Sequence, residues 1–334
     1  MLVVNKKDLQ EKGYIDIEPG KSTNIKQEIN RLRAEKNAVI MAHYYQQPEI
    51  QDIADFVGDS LALSQQAAKT DADIILLAGV YFMAETAKIL CADKKVLIPD
   101  LKAGCSLADS CPTEDFAKFK EQYPDHTVIT YVNSTAEAKA LTDIICTSTN
   151  AVQIVNSLPK NEKIIFAPDR NLGNYIKSIT GRENMVIWNG ACHVHEEFSL
   201  ERILELKKDF PEAKFIAHPE CEKPLLIVAD HIGSTSSLLN FTQTDNSDSY
   251  IVATESGILH QMQKASPEKR FIPAPPKDST CACNDCNYMK LISMKKIYNT
   301  LKYEQPEVVV PIDIMNKARG SITRMLEISA KLKL

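Results

Sequence analysis

The chain repeats itself three times at a period of about 88 residues, and that repetition constrains its fold more than any other property of the sequence. Each copy opens on a strand-like apolar run that ends in polar residues: Val39 to Tyr45, Thr127 to Asn133, and Lys214 to Glu220. Within these runs His43, Tyr131 and His218 are 88 and 87 residues apart. A helical stretch and a hydroxyl-rich turn follow, where Ser60, Ser148 and Thr235 repeat the same two intervals. A second apolar run (Ile74 to Gly79, Ile164 to Ala167, Tyr250 to Ala253) and a third (Val96 to Pro99, Met185 to Trp188, Arg270 to Pro273) come next. Each copy closes on a cysteine, Cys105, Cys192 or Cys286. A helix then ends at a proline-acid pair 19, 19 and 20 residues beyond it: Pro124-Asp125, Pro211-Glu212, Pro306-Glu307. A period this long exceeds a solenoid repeat and suits a small domain.

Short, continuous apolar runs are the pattern of parallel strands covered by helices on both faces, so the expected class is α/β. Ile50, Ile53, Ala54 and Val57 follow the spacing of one buried helix face, with Pro48 suited to the helix start. In parallel sheets the functional groups gather beyond the carboxyl ends of the strands. His43, Tyr45, Tyr131, Asn133, His218 and Glu220 all fall at such ends, and one cleft shared by the three units accommodates them together.

A net charge of −5 argues against a nucleic-acid partner. No export signal is visible, and the longest apolar run, Ile74 to Ala84, is far short of the ~20 residues that cross a bilayer. A cytoplasmic protein without a membrane partner is expected. In a reducing compartment nine cysteines point to metal or catalysis rather than to a disulfide framework. Three thiolates from three equivalent units describe a metal site at a junction. An iron–sulfur cluster normally takes four cysteines, so three leave one iron of a four-iron cube open, where a substrate oxygen is polarised as on a Lewis acid. Two other readings stand beside this one. Cys281, Cys283, Cys286 and a histidine would make a closed structural zinc site, or the cluster would serve a redox sensor without catalysis.

Several residues have plainer readings. Cys91, Cys111, Cys146 and Cys221 read as small apolar fillers. His126, His231 and His260 read as surface or capping residues, and Ser60 and Ser148 as candidate helix N-caps. The lysines from Lys290 to Lys302 read as a solvated helix face. His193 sits beside a ligand and is an even choice between site and scaffold.

Specific strings carry a resemblance. Ala42-His43-Tyr44-Tyr45-Gln46, Gly58-Asp59-Ser60-Leu61, Phe82 to Ala87, Ala103-Gly104-Cys105-Ser106, Tyr131-Val132-Asn133-Ser134, Cys192-His193-Val194-His195 and His218-Pro219-Glu220-Cys221 resemble the quinolinate synthase family over roughly residues 25 to 320. The resemblance implies three similar α/β/α sandwich domains with parallel sheets about a pseudo-threefold axis, with a [4Fe–4S] cluster at their meeting point. It implies condensation of iminoaspartate with dihydroxyacetone phosphate to quinolinate, losing phosphate and two waters, in the de novo route to NAD. Carried over by position, Cys105, Cys192 and Cys286 resemble the cluster ligands. Tyr45 and Glu220 resemble the acid–base pair, with Tyr131 and His195 at the same cavity. His43, Ser60, Asn133, Ser148, His218 and Thr235 resemble the groups that hold substrate. The lability of the imine suggests a supplier, L-aspartate oxidase or aspartate dehydrogenase, as a protein partner.

The third cysteine departs from the family's usual spacing: it reads Cys281-Ala282-Cys283-Asn284-Asp285-Cys286, and Cys286 is the ligand expected because Asn287-Tyr288-Met289-Lys290 follows it. Cys283 and Cys286 are also spaced for a redox-switchable disulfide. The expected boundaries are a lead-in over 1–24 and repeats over 25–106, 107–192 and 193–306, with a C-terminal helix in 307–334 packing on the first repeat.

Overall fold

A computed structural model describes residues 6–278 and 284–334. Cys281 and Cys283, and with them both the switchable disulfide and the four-ligand zinc site, lie outside the described residues. The chain forms two compact units. One holds residues up to Cys105 together with Asn287–Arg319, the other Ser106–Cys286 together with Gly320–Leu334.

The first unit contains β1 (Ala38–His43), β2 (Phe56–Gly58), β3 (Ile74–Ala78) and β4 (Lys95–Leu97), in the order β2-β1-β3-β4. The second contains two sheets. Strands β5 (Thr127–Tyr131), β6 (Ile144–Cys146), β7 (Ile164–Ala167) and β8 (Met185–Ile187) run β6-β5-β7-β8. Strands β9 (Lys214–Ala217), β10 (His231–Ile232), β11 (Ser249–Ala253) and β12 (Arg270–Pro273) run β10-β9-β11-β12. Every pairing is parallel, and all three sheets share one topology. The α/β class expected from the repeat is the one found. Every residue of β3 and β7 is buried, as central strands covered on both faces must be.

Each repeat has four strands where the apolar runs suggested three. The additional ones are the edge strands β2, β6 and β10, two or three residues long and too short to carry a periodic signal. β2 also overturns the helix expected through Val57: Pro48 does start a helix, but it ends at Gln51, and Val57 is extended and pairs with Ala42. The residue just before β2 pins this edge to β1. The Asp55 carboxylate accepts the Ile40 N–H at 2.8 Å, while the Asp55 N–H returns a bond to the Ile40 carbonyl. Asp143 does the same to Val128 (2.8 Å), and Asp230 to Phe215 (2.7 Å). These aspartates are spaced 88 and 87 residues apart, so they belong to the repeat and set the register of each edge strand. Asp143→Ala is expected to cost about 1.5–3 kcal/mol, the value of a bond to a charged acceptor, read as a lower denaturant midpoint with an unchanged slope.

The lead-in is built into the first unit. Ile15 is buried, and Asn299 donates to the carbonyls of Ile15 and Ile17. The last helix, Ile312–Lys331, contributes to both units. In the second unit Ser321 donates to the Lys139 carbonyl, and the Asn150 amide donates to Ser329. Among the described residues no helix is long and apolar enough to cross a membrane.

Candidate active site

In the first unit β1 ends on His43, which is buried. Its Nδ1 accepts the N–H of Tyr45 at 3.2 Å, and the two rings meet edge to face with centroids 4.4 Å apart. Lys290 donates to the Tyr45 carbonyl at 2.8 Å, and the buried Gln46 amide donates to the Met289 carbonyl. Lys296 reaches the buried Asp100 carboxylate at 2.5 Å, on the loop that leads to Cys105. Lys290 and Lys296 are therefore tethers rather than part of a solvated face. Lys295 does remain outside, paired with Asp16. Asp59, not Ser60, caps the helix Ser60–Lys69, its carboxylate accepting the Ala62 N–H, so Ser60 is the first helical residue.

In the second unit the same local geometry recurs where β9 ends. His218 Nδ1 accepts the Glu220 N–H at 3.3 Å, as His43 Nδ1 accepts that of Tyr45. A ring whose Nδ1 is an acceptor carries its proton on Nε2, which leaves Nε2–H to donate outward. Around Glu220 four predicted residues come together. Tyr131, the last residue of β5, donates its hydroxyl to Oε1 at 2.6 Å. His195, on the short helix His193–Glu196, stands 3.3 Å from Oε2, and its ring stacks on His218 with centroids 4.6 Å apart. His195, His218 and Glu220 are each 2% exposed. Cys192 offers its sulfur to the same group: one ligand atom each from Cys192, His195 and Glu220 lie within 4.8 Å of one another. Asn133 and Ser148 sit on the loops after β5 and β6. The Oδ1 of Asn133 is buried without a hydrogen-bond partner among the described residues. Thr235 is the first residue of the helix Thr235–Thr244, and Ser234 caps it, as Asp59 caps the equivalent helix.

Burial pushes the Glu220 carboxyl up, but the imidazoles of His195 and His218 beside it and the bond from Tyr131 outweigh it and bring its pKa down to about 2. Asp169 goes the other way. Buried at the start of the helix Arg170–Thr180, it is raised well above the usual range, first by burial and then by the charge of Glu220. The two carboxyl groups are thus driven in opposite directions.

Asp169 was not singled out from the sequence, nor were three further residues that hold the site. Thr254 Oγ1 lies 3.1 Å from His195 Nε2. Asn171 donates to the Glu220 carbonyl at 3.1 Å and to Glu196 at 2.7 Å. Glu255, fully buried, accepts the Cys286 N–H at 3.1 Å. The only sequence signal for this group was position, since Asp169 and Thr254 come just after the third strand of their repeats. Gly190, two residues before Cys192, bonds through both N–H and C=O to the chain at Pro168 and Arg170. A Cβ there would lie 2.6 Å from the Pro168 carbonyl, so only glycine lets this loop seat the cysteine.

The cysteines divide in two. Cys91, Cys111, Cys146 and Cys221 are buried, and burial pushes their thiols up, Cys111 to about 12, as expected of apolar fillers. Cys105, Cys192 and Cys286 are partly exposed, and each follows the fourth strand of its sheet. Three partly exposed thiols at equivalent positions of the repeat are donors of the kind an iron–sulfur cluster takes. His193 belongs to the scaffold: its Nδ1 is 2.7 Å from Ser106 Oγ, and burial lowers its pKa. His231 is neither surface nor cap, for it stacks on Phe241 at 4.2 Å.

The family model described as Quinolinate synthetase A protein matches residues 27–327. The chain is 60% identical over 301 residues to the quinolinate synthase of Thermosynechococcus vestitus, covering 90% of this chain and 94% of that one. It is also 60% identical to the quinolinate synthases of Microcystis aeruginosa and Synechocystis sp., with the same coverage. With a match across nearly its whole length and the repeated α/β scaffold beneath it, the chain belongs to the quinolinate synthetase A family.

Proposed function

We propose that the protein condenses iminoaspartate with dihydroxyacetone phosphate to quinolinate, with loss of phosphate and two waters, as a step toward NAD. The observation that carries this reading is the buried Glu220 bonded to Tyr131 and flanked by His195 and His218, on a chain 60% identical to quinolinate synthases. Cys105, Cys192 and Cys286 would hold a [4Fe–4S] cluster. When bound, that group supplies a Lewis-acidic iron that withdraws electrons from a substrate oxygen.

The remaining chemistry belongs to side chains. With its pKa lowered, Glu220 is a base at neutral pH: it accepts a proton from carbon or nitrogen, and Tyr131, already bonded to Oε1, relays one in return. Tyr45, held through its carbonyl by Lys290 and against the His43 ring, is the second hydroxyl acid. His43 and His218 present Nε2–H, suited to the carboxylates and phosphate of the two substrates. Ser60 and Thr235 begin helices whose amino ends favour the same anions. Asn133, Ser148 and His195 complete the substrate shell. An iminoaspartate-forming oxidase or dehydrogenase is the partner that this unstable substrate calls for.

The test is protein prepared without air. Iron and sulfide near four of each per chain, with quinolinate formed from the two substrates, is the expected result. Failure of metal-stripped protein to take up iron and sulfide without air, or a cluster without quinolinate formation, would reject it in favour of a structural or a sensing protein.

A further inference from the structure

We propose that Cys192, His195 and Glu220 form a mononuclear site for a divalent cation, zinc by its donor set, in the cluster-free protein. A thiolate, an imidazole nitrogen and a carboxylate oxygen are three donors zinc prefers, and three protein ligands leave its fourth position open. Here the three donor atoms already lie within 4.8 Å of one another. His195 Nδ1 is buried and makes no hydrogen bond among the described residues. Its 3.3 Å separation from Glu220 Oε2 is an ion-pair distance. It also matches the edge of a tetrahedron whose legs are about 2.0 Å, the usual zinc–nitrogen and zinc–oxygen length.

The surroundings are those of a metal ligand set. A ligating histidine has its other nitrogen held by a neighbour, which fixes the tautomer. Thr254, buried, stands 3.1 Å from His195 Nε2, so an Nε2–H donating to Oγ1 leaves the Nδ1 lone pair facing Glu220 and Cys192. A ligating carboxylate likewise has its second oxygen bonded: Tyr131 occupies Oε1 and leaves Oε2 for the ion. Asn171 holds the Glu220 backbone from behind. A 2.3 Å zinc–sulfur bond sets an edge of ~3.6 Å, so the sulfur, within 4.8 Å of the other two donors, has at most about 1 Å to close, and Cys192 is partly exposed. Binding takes up the aqueous cation and releases to solvent the thiol proton of Cys192 and whatever proton His195 Nδ1 shares with Glu220.

One consequence rests on the cluster reading, although the zinc site itself does not. Since Cys192 serves both, zinc and the cluster exclude each other, and zinc holds the unloaded chain in a form that cannot accept iron until the ion is removed.

The experiment uses the full chain, freed of cluster and stripped with chelator, and titrates it with Zn2+ against a chromophoric competitor and with Co2+ by absorbance. One equivalent should bind, and cobalt should give thiolate charge-transfer and tetrahedral d–d bands. Cys192→Ser, His195→Ala and Glu220→Gln should each lose the site. Thr254→Val, which only loosens the tautomer, should weaken binding roughly 10- to 100-fold. Cys105→Ser and Cys286→Ser should bind as the parent does, and circular dichroism reports the folding of each variant. Absence of binding by the parent overturns the proposal. So does zinc retained by Glu220→Gln and His195→Ala but lost from Cys105→Ser or Cys286→Ser, which would place the ion on the cysteines. Iron and sulfide content of protein prepared without air reads the cluster separately, so failure of either reading is recognisable.

Discussion

Serine in place of any one of Cys105, Cys192 or Cys286 is expected to strip the protein of cluster iron and sulfide and to lower quinolinate formation by roughly 100-fold or more, since among the described residues every other cysteine is buried. The reason is positional. Each of the three follows the last strand of its sheet and is partly exposed, whereas the other four described cysteines are packed inside with thiols pushed up. Cys91→Ser therefore serves as the control: its thiol donates to the Ala67 carbonyl within the first unit, and serine should leave iron content at the parent level. Elemental analysis with the visible spectrum of anaerobic protein decides the matter. Parent-level cluster in the Cys105→Ser protein would remove that residue from the ligand set.

Glu220→Gln should keep the cluster and lose turnover, by roughly 100- to 10,000-fold in kcat, the usual share of a general base. Glutamine preserves the volume and can still accept from Tyr131, so the shape of the site is kept; what disappears is the charge that takes a proton. The low pKa of Glu220, about 2, also fixes the sign of its pH dependence. The carboxylate is charged throughout the neutral range, so an acid limb of kcat near neutrality belongs to another group. Its folded pKa is depressed, so the stability it contributes is complete above the usual carboxylate value and is lost as the pH falls toward 2. Tyr131→Phe removes one bond to the charged form and should shift that loss to higher pH, measured as the midpoint of acid unfolding. Retained turnover in the glutamine variant would strike Glu220 from the base role.

The sequence was most legible where a signal repeats. Polar residues ending apolar runs placed His43, Tyr131 and His218 at the mouths of three parallel sheets, because a strand buried on both faces has no other way to be written. The edge strands escaped, since two or three residues cannot show a period. The aspartates that pin them were nevertheless visible in principle, at the same 88 and 87 spacing as the residues that were read. Helix signals misled at Val57, where tertiary pairing with β1 overrode a local apolar pattern.

The sequence by itself determined the α/β class, the threefold repetition, the three cysteines that stand apart and the side chains at the strand ends. Only the tertiary structure decided which of those side chains meet and in what ionic state. Tyr131 and Glu220 are 89 residues apart, and His195 and Thr254 are 59 apart, yet each pair is in bonding contact. The lowered pKa of Glu220 and the raised pKa of Asp169 follow from burial and from neighbours such as these. Electrostatic energy falls with distance through space and not along the chain, and for that reason no local pattern could carry it.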